Sequence, residues 1–290
     1  MKTILFLFLV MSSLNGMGQS SYSGFLGKSP ITLVTYHYSD GVSRAFYVYD
    51  KYDTPIIING NLNEQELQLF ERNPKGEILA SLNFLNFKKE DKSITGKWIN
   101  TDSTKSYEIS LKKDFDINYG DNVEWQPKEL LQSNSTKNHY FKTIITKVKG
   151  RFYGRVSGVK IFEKRTDRLI QTIKLDCQLF GIDNVNVNDY NFDDIQDFSV
   201  FEASYAGPNT SRVYILKDSN SEKYFVSDFN GTSLDFDKDS KLIYEHNQCC
   251  AGRGHMNATY KVVNNKMVLI KQTCLKYDEE KEDYIETKCD

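Results

Sequence analysis

Short apolar–polar alternations, broken every eight to twelve residues by Gly, Asn, Asp or Pro, run through nearly the whole chain. Ser81-Leu82-Asn83-Phe84-Leu85-Asn86-Phe87 is the clearest case. A period of two places successive side chains on opposite faces of a strand. The pattern predicts strands over 31–38, 44–50, 55–59, 66–71, 78–87, 93–98 and 107–111 in the first half. Their turns are Ser39-Asp40-Gly41, Asn59-Gly60-Asn61 and Asn73-Pro74-Lys75-Gly76. In the second half it predicts strands over 140–149, 159–164, 169–175, 198–205, 212–217, 223–229, 242–245, 258–263, 267–277 and 284–288. No ten-residue stretch has a helical apolar period, so the fold class is all-β, a sandwich, barrel or propeller. Residues 63–70 admit a helical reading through Leu67 and Phe70, but the flanking Gly and Asn favour a hairpin.

Two stretches depart from the alternation. Lys2 precedes an apolar run from Ile4 to Met11, followed by small residues with Gly16 and Gly18 in small-x-small spacing. That reads as a signal peptide, 1–18, cleaved after Gly18. The run is too short to span a bilayer, and no cysteine stands near the cleavage point to carry a lipid. Residues 118–138, with Gly120, Pro127 and a Ser/Asn/Thr tract, read as a linker between an N-terminal β-meander domain, 19–117, and a C-terminal β domain, 139–290. The expected compartment is therefore periplasmic or extracellular, and the mature chain is not membrane-embedded.

Composition narrows the partners. Of the 37 basic residues only Lys2 falls in the leader, leaving 36 against 39 acidic residues and a net charge of −3. Near-neutrality gives no electrostatic reason for nucleic acid or an anionic membrane. All five cysteines, Cys177, Cys249, Cys250, Cys274 and Cys289, lie in the second half. In an oxidising compartment four are expected to pair. Cys274 and Cys289 flank a hairpin turn at 278–283 and suit a cross-strand bond, while adjacent Cys249 and Cys250 do not favour bonding each other. One of that pair bonding Cys274 or Cys289 is the open alternative. A zinc site is the rival use of these thiols, with only His246 and His255 nearby and no C-x-x-C. Four N-x-S/T sequons, at Asn134, Asn209, Asn230 and Asn257, would carry sugar in a eukaryotic route. The Asn/Lys/Ile bias and the Gly-Gln cleavage context fit a bacterial source instead.

One segment carries distinctive chemistry: Asp189-Tyr190-Asn191-Phe192-Asp193-Asp194-Ile195-Gln196-Asp197. Its D-x-N-x-D-x-x-x-D spacing would converge oxygens of Asp189, Asn191, Asp193 and Asp197, plus the Ile195 carbonyl, on one calcium ion. Without a cation, three carboxylates held that close repel. It is not an EF-hand, since Val200 stands where the bidentate Glu belongs. Two other acidic runs, 235–240 and 278–283, read as a β-turn and a solvated hairpin tip.

The loop resembles the calcium loop of FG-GAP and VCBS-type β-propeller proteins. Together with Gly207-Pro208-Asn209-x-Ser211-Arg212 and Tyr214-Ile215-Leu216, it is similar to an exported bacterial family. That family is typified by a periplasmic Xanthomonas inhibitor, an immunity protein against a lysozyme-like effector. Tyr47 to Lys51 and Ile94 to Trp98 resemble the β region often found ahead of such domains. The resemblance implies a propeller-like second domain with structural calcium, and a protein that binds and inhibits a peptidoglycan hydrolase. Asp194 replaces the usual Gly of the loop, which costs something at a positive-φ position. No triad, metalloprotease motif, G-x-S-x-G elbow or phosphate loop occurs, so no catalytic residue is assigned and an enzyme is not expected. The Gly-rich segment 247–256 is the candidate contact surface, with Arg253 and His255 at its tip. A calcium-dependent adhesion module for glycan or protein is the alternative, a glycan hydrolase a more distant one.

Overall fold

The computed structural model describes residues 18–289. The leader lies outside the described residues except for Gly18, where the first strand begins. Eight strands, β1 (Gly18–Leu26), β2 (Ser29–His37), β3 (Val42–Tyr49), β4 (Ile56–Asn63), β5 (Glu66–Arg72), β6 (Ile78–Phe84), β7 (Ser93–Asn100) and β8 (Ser106–Asp116), form an antiparallel meander. β1 pairs with β8 as well as β2 and closes the meander into a barrel. Residues 63–66 turn a β-hairpin, Asn63 pairing with Glu66.

The two faces of these strands serve different cores. Inward positions Leu33, Ala45, Tyr47, Ile58, Leu69 and Leu82 are buried in the barrel lumen. Outward positions Val34, Phe46 and Val48, one residue out of phase, are equally buried because they pack against the second half. Strand glycines permit the close spacing. A Cβ at Gly60 would collide with the carbonyl oxygen of Gln68 on the neighbouring strand.

Three successive antiparallel sheets follow. The first holds β9 (Trp125–Ser135), β10 (His139–Lys147), β11 (Arg155–Glu163) and β12 (Leu169–Gln178); the second β13 (Val185–Asn188), β14 (Asp197–Ser204), β15 (Thr210–Lys217) and β16 (Tyr224–Val226). The third holds β17 (Asp235–Asp237), β18 (Leu242–Cys249), β19 (Gly254–Val263), β20 (Lys266–Asp278) and β21 (Asp283–Thr287). Phe141, Val159, Val185, Phe198 and Ile215 of the first two sheets share one core with the barrel's outer face. Arg44–Asp183 at 3.2 Å, and the Arg165 N–H donating to buried Asp53 at 2.9 Å, add polar links between barrel and sheets.

The expected linker is corrected: 118–124 is loop, but Trp125–Ser135 is a full strand. Pro127 is tolerated because β9 is a sheet edge, where one side of the strand has no ladder to feed. The 235–240 run is a short strand ending in a turn, with Asp237 Oδ1 accepting the Asp239 N–H at 2.9 Å. Among the described residues no helix is long and apolar enough to cross a membrane.

Candidate calcium loop and partner surface

β13 and β14 pair antiparallel, with Asn188 opposite Asp197, so residues 189–196 form the loop between them. Its alternation sorts the side chains. Tyr190 and Phe192 point into an aromatic cluster, where the Tyr190 ring meets those of Tyr214 and Phe236 at 4.9 and 4.8 Å. The odd positions are left to furnish oxygens. Asp189 accepts the N–H of Asp193 at 3.1 Å and that of Asp194 at 2.9 Å, curling the chain over its carboxylate. Asp193 Oδ1 accepts the Ile195 N–H at 2.9 Å, and its Oδ2 accepts from Asn191 Nδ2 at 2.9 Å. Phe192 and Asp194 adopt φ of 62° and 65°, so Asp194 does occupy the left-handed conformation that glycine takes more cheaply.

Asp197 anchors the loop from below. It is fully buried, its Oδ2 accepting the Tyr190 N–H at 3.0 Å and its Oδ1 the Lys217 N–H at 2.8 Å. Burial, with a further push from Asp193 and Asp189, raises its carboxyl to about 7 despite those two hydrogen bonds. Asn191 is the most informative member. Its amide nitrogen donates to Asp193 and to Asn265 Oδ1 at 2.8 Å, while its Oδ1 is buried with no partner. Buried amide oxygens are nearly always satisfied.

The loop offers oxygens of the kind a hard cation takes: the carboxylates of Asp189 and Asp193, which the backbone curls around, and the unpartnered amide oxygen of Asn191. Among the described residues no three His, Cys, Asp or Glu side chains stand close enough to hold a metal by themselves. The set depends on Asn191 and on carbonyl oxygen. Asn265, in the β19–β20 turn, and Lys217, whose N–H meets Asp197, were not singled out from sequence. The Asn264-Asn265 pair, both at positive φ, is a local turn sign that the sequence offers for that hairpin.

The second candidate surface is the 247–256 segment. Cys250–Gly252 forms a single 3-10 turn, with Cys250 and Ala251 at positive φ. Buried Asn209 braces it, accepting the Gln248 N–H at 3.0 Å and donating to the Gln248 carbonyl at 2.7 Å. Sequence presented Asn209 only as a sequon and as part of the resemblance; its burial gives it a bracing role. Arg253 is exposed and ion-paired with Glu279. His255 is half-buried, its Nε2 3.0 Å from the Gly252 carbonyl, which Tyr284 Oη also meets at 2.6 Å. Both border a cavity of about 740 Å³ with Cys249, Met256 and Tyr277.

The cysteines correct the expectation of four paired residues. Cys274 and Cys289 are bonded across the β20–β21 hairpin, while Cys177, Cys249 and Cys250 are free. Cys249 and Cys250 therefore bond neither Cys274 nor Cys289, and their exposed sulfurs lie 3.0 Å apart. Cys177 is buried, and burial raises its thiol to about 11, which suits a core residue. Neither a family model nor a curated protein matches this chain.

Proposed function

We propose that this chain is an exported, calcium-braced binding protein, with the 247–256 turn as its partner surface. Asn191 Oδ1, buried and unpartnered in a residue whose amide nitrogen donates to Asp193, carries the calcium reading. The side chains of Asp189, Asn191, Asp193 and Asp197 and the Ile195 carbonyl would hold the ion. When bound, calcium would supply positive charge to a loop rich in carboxylates. Its role is structural, since the loop is tied to Asn265 and Lys217 on either side. The propeller-like reading of the second half rests on the loop's resemblance, and three successive meander sheets support it.

The partner we assign is a peptidoglycan hydrolase, which the protein binds and inhibits. A turn braced by Asn209 and bordered by a cavity loses less entropy on docking into a cleft than a free loop would. Export is checked by N-terminal sequencing of secreted protein, expected to start at Gln19. Calcium is checked by melting with added calcium and with chelator, in wild type and Asp193→Ala. Inhibition is checked by lysis assays with the hydrolases that co-purify. Identical melts with calcium and chelator remove the calcium site, and recovery of glycan polymer in place of a hydrolase favours an adhesion module.

A further inference from the structure

The barrel lumen changes character along its length. Inward positions of β1, β2 and β3 turn polar toward one end: Ser20 and Tyr22, Thr35 and His37, and Ser43, all buried. Register brings them together, with Ser20 opposite Thr35, Tyr22 opposite Leu33, and His37 opposite Ser43. Three atoms here, Tyr22 Oη, Thr35 Oγ1 and His37 Nε2, are buried without a hydrogen-bond partner. Leaving each so costs about 1–3 kcal/mol, and the fold concentrates all three on two neighbouring strands. Nearby groups carry other bonds, although Ser20 also acts on the Tyr22 hydroxyl. Ser20 donates to Asp116 Oδ1 at 2.5 Å, Ser43 Oγ holds His37 Nδ1 at 2.8 Å, and Lys113 Nζ pairs with Asp116 at 3.1 Å.

Directly outside lies the barrel mouth, a cavity of about 880 Å³ bordered by Ser20, Tyr38, Leu62, Phe87 and Asp116. Phe87 stands between the two. It borders the cavity, is 4% exposed, and its ring centroid is 5.1 Å from that of His37. It belongs to the β6–β7 connection, and its N–H donates to the Gln65 carbonyl at 2.7 Å, so the gate is a swing of the ring with the backbone held. The β1–β8 register shift falls between Ser21 and Tyr22, beside the orphaned hydroxyl, and bulges often re-aim side chains at barrel rims.

We propose that this mouth binds the end of a neutral, hydroxyl-rich molecule, a sugar ring of a glycan, with Phe87 as its gate. Hydroxyls and an uncharged imidazole both donate and accept, which is what a ligand's own hydroxyls require. The cavity wall carries Asp40, Glu64, Glu90 and Asp116 against Lys88 and Lys89, so no positive excess recruits an anion. Eight-stranded barrels are filled by side chains or hold one small ligand. Here side chains fill the deeper lumen, so the ligand sits at the mouth, which is of ligand-site size. The site is separate from the calcium loop and stands or falls independently of it.

The purified protein is titrated with N-acetylglucosamine, chitotriose and maltotriose, followed by calorimetry and by amide NMR shifts at residues 18–22, 33–38 and 86–89. Saturable binding by at least one sugar is expected. Thr35→Val and Tyr22→Phe, which delete orphaned hydroxyls without changing shape, should each weaken it at least tenfold while holding or raising Tm. Asp193→Ala should leave it unchanged. The proposal is overturned if no sugar saturates, if both variants bind as wild type does, or if glucuronate binds as tightly as the neutral sugars. A crystal grown with sugar that shows only a water bridging the three atoms overturns it as well.

Discussion

The two halves of this molecule meet the same hazard, an unpaired strand edge, in opposite ways. The barrel has no edge, because β1 joins β8. The second half leaves six edges and blunts most of them: β13, β16 and β17 have only four, three and three residues, β9 carries Pro127, and exposed β21 is held by the Cys274–Cys289 bond. Closure stabilises the first half through its ladder and lumen. The second half has its own buried core, shared with the barrel's outer face, and adds local fastenings: a loop, a disulfide and side-chain braces. Those fastenings are also where its candidate chemistry sits.

The sharpest test of the comparison is whether the halves unfold together. Phe46 is on the barrel strand β3 but buried in the shared core. Phe46→Ala is expected to cost about 3–5 kcal/mol and to split one calorimetric transition into two, whereas a single transition at lower temperature would make the halves one cooperative unit. His37 provides an acid-sensitive lever in the barrel alone. Burial, aided by Lys89 and Lys113, lowers its pKa from 6.5 to about 4. Between those values the unfolded chain binds the extra proton, so barrel stability falls as pH drops from 6.5 toward 4, by roughly 3 kcal/mol in full. The barrel transition should show that slope, against an opposite one in the second half, where buried Asp197 is raised to about 7. His37→Gln should flatten the barrel's slope alone.

Calcium is the corresponding lever for the second half. A concentration one hundred times Kd raises stability by about 2.7 kcal/mol, expected in the second-half transition only and lost in Asp193→Ala. Arg253→Ala is the smallest perturbation. Its exposed pairing with Glu279 is worth about 0–1 kcal/mol, so Tm should hold while capture of a hydrolase weakens.

Sequence alternation located most strands but not β1, whose Gly-Gln-Ser-Ser-Tyr run follows the leader and has few apolar residues to mark a face. Missing it left seven strands and no closure, and closure alone shows that Thr35 and His37 face a lumen. β13 and β17 were too short to show a period, and Pro127 masked β9. The loop's own oxygens were legible because they alternate within nine residues. Asn265 was not, since it lies 74 positions from Asn191 and meets it only through folding.

Barrel closure also sets an order of events. Ser20 must find Asp116, nearly one hundred residues later. A chain emerging at 5–20 residues per second keeps one side of β1 unpaired for on the order of ten seconds. Non-local pairing of this kind slows folding, and the waiting edge would be open to pairing with other chains.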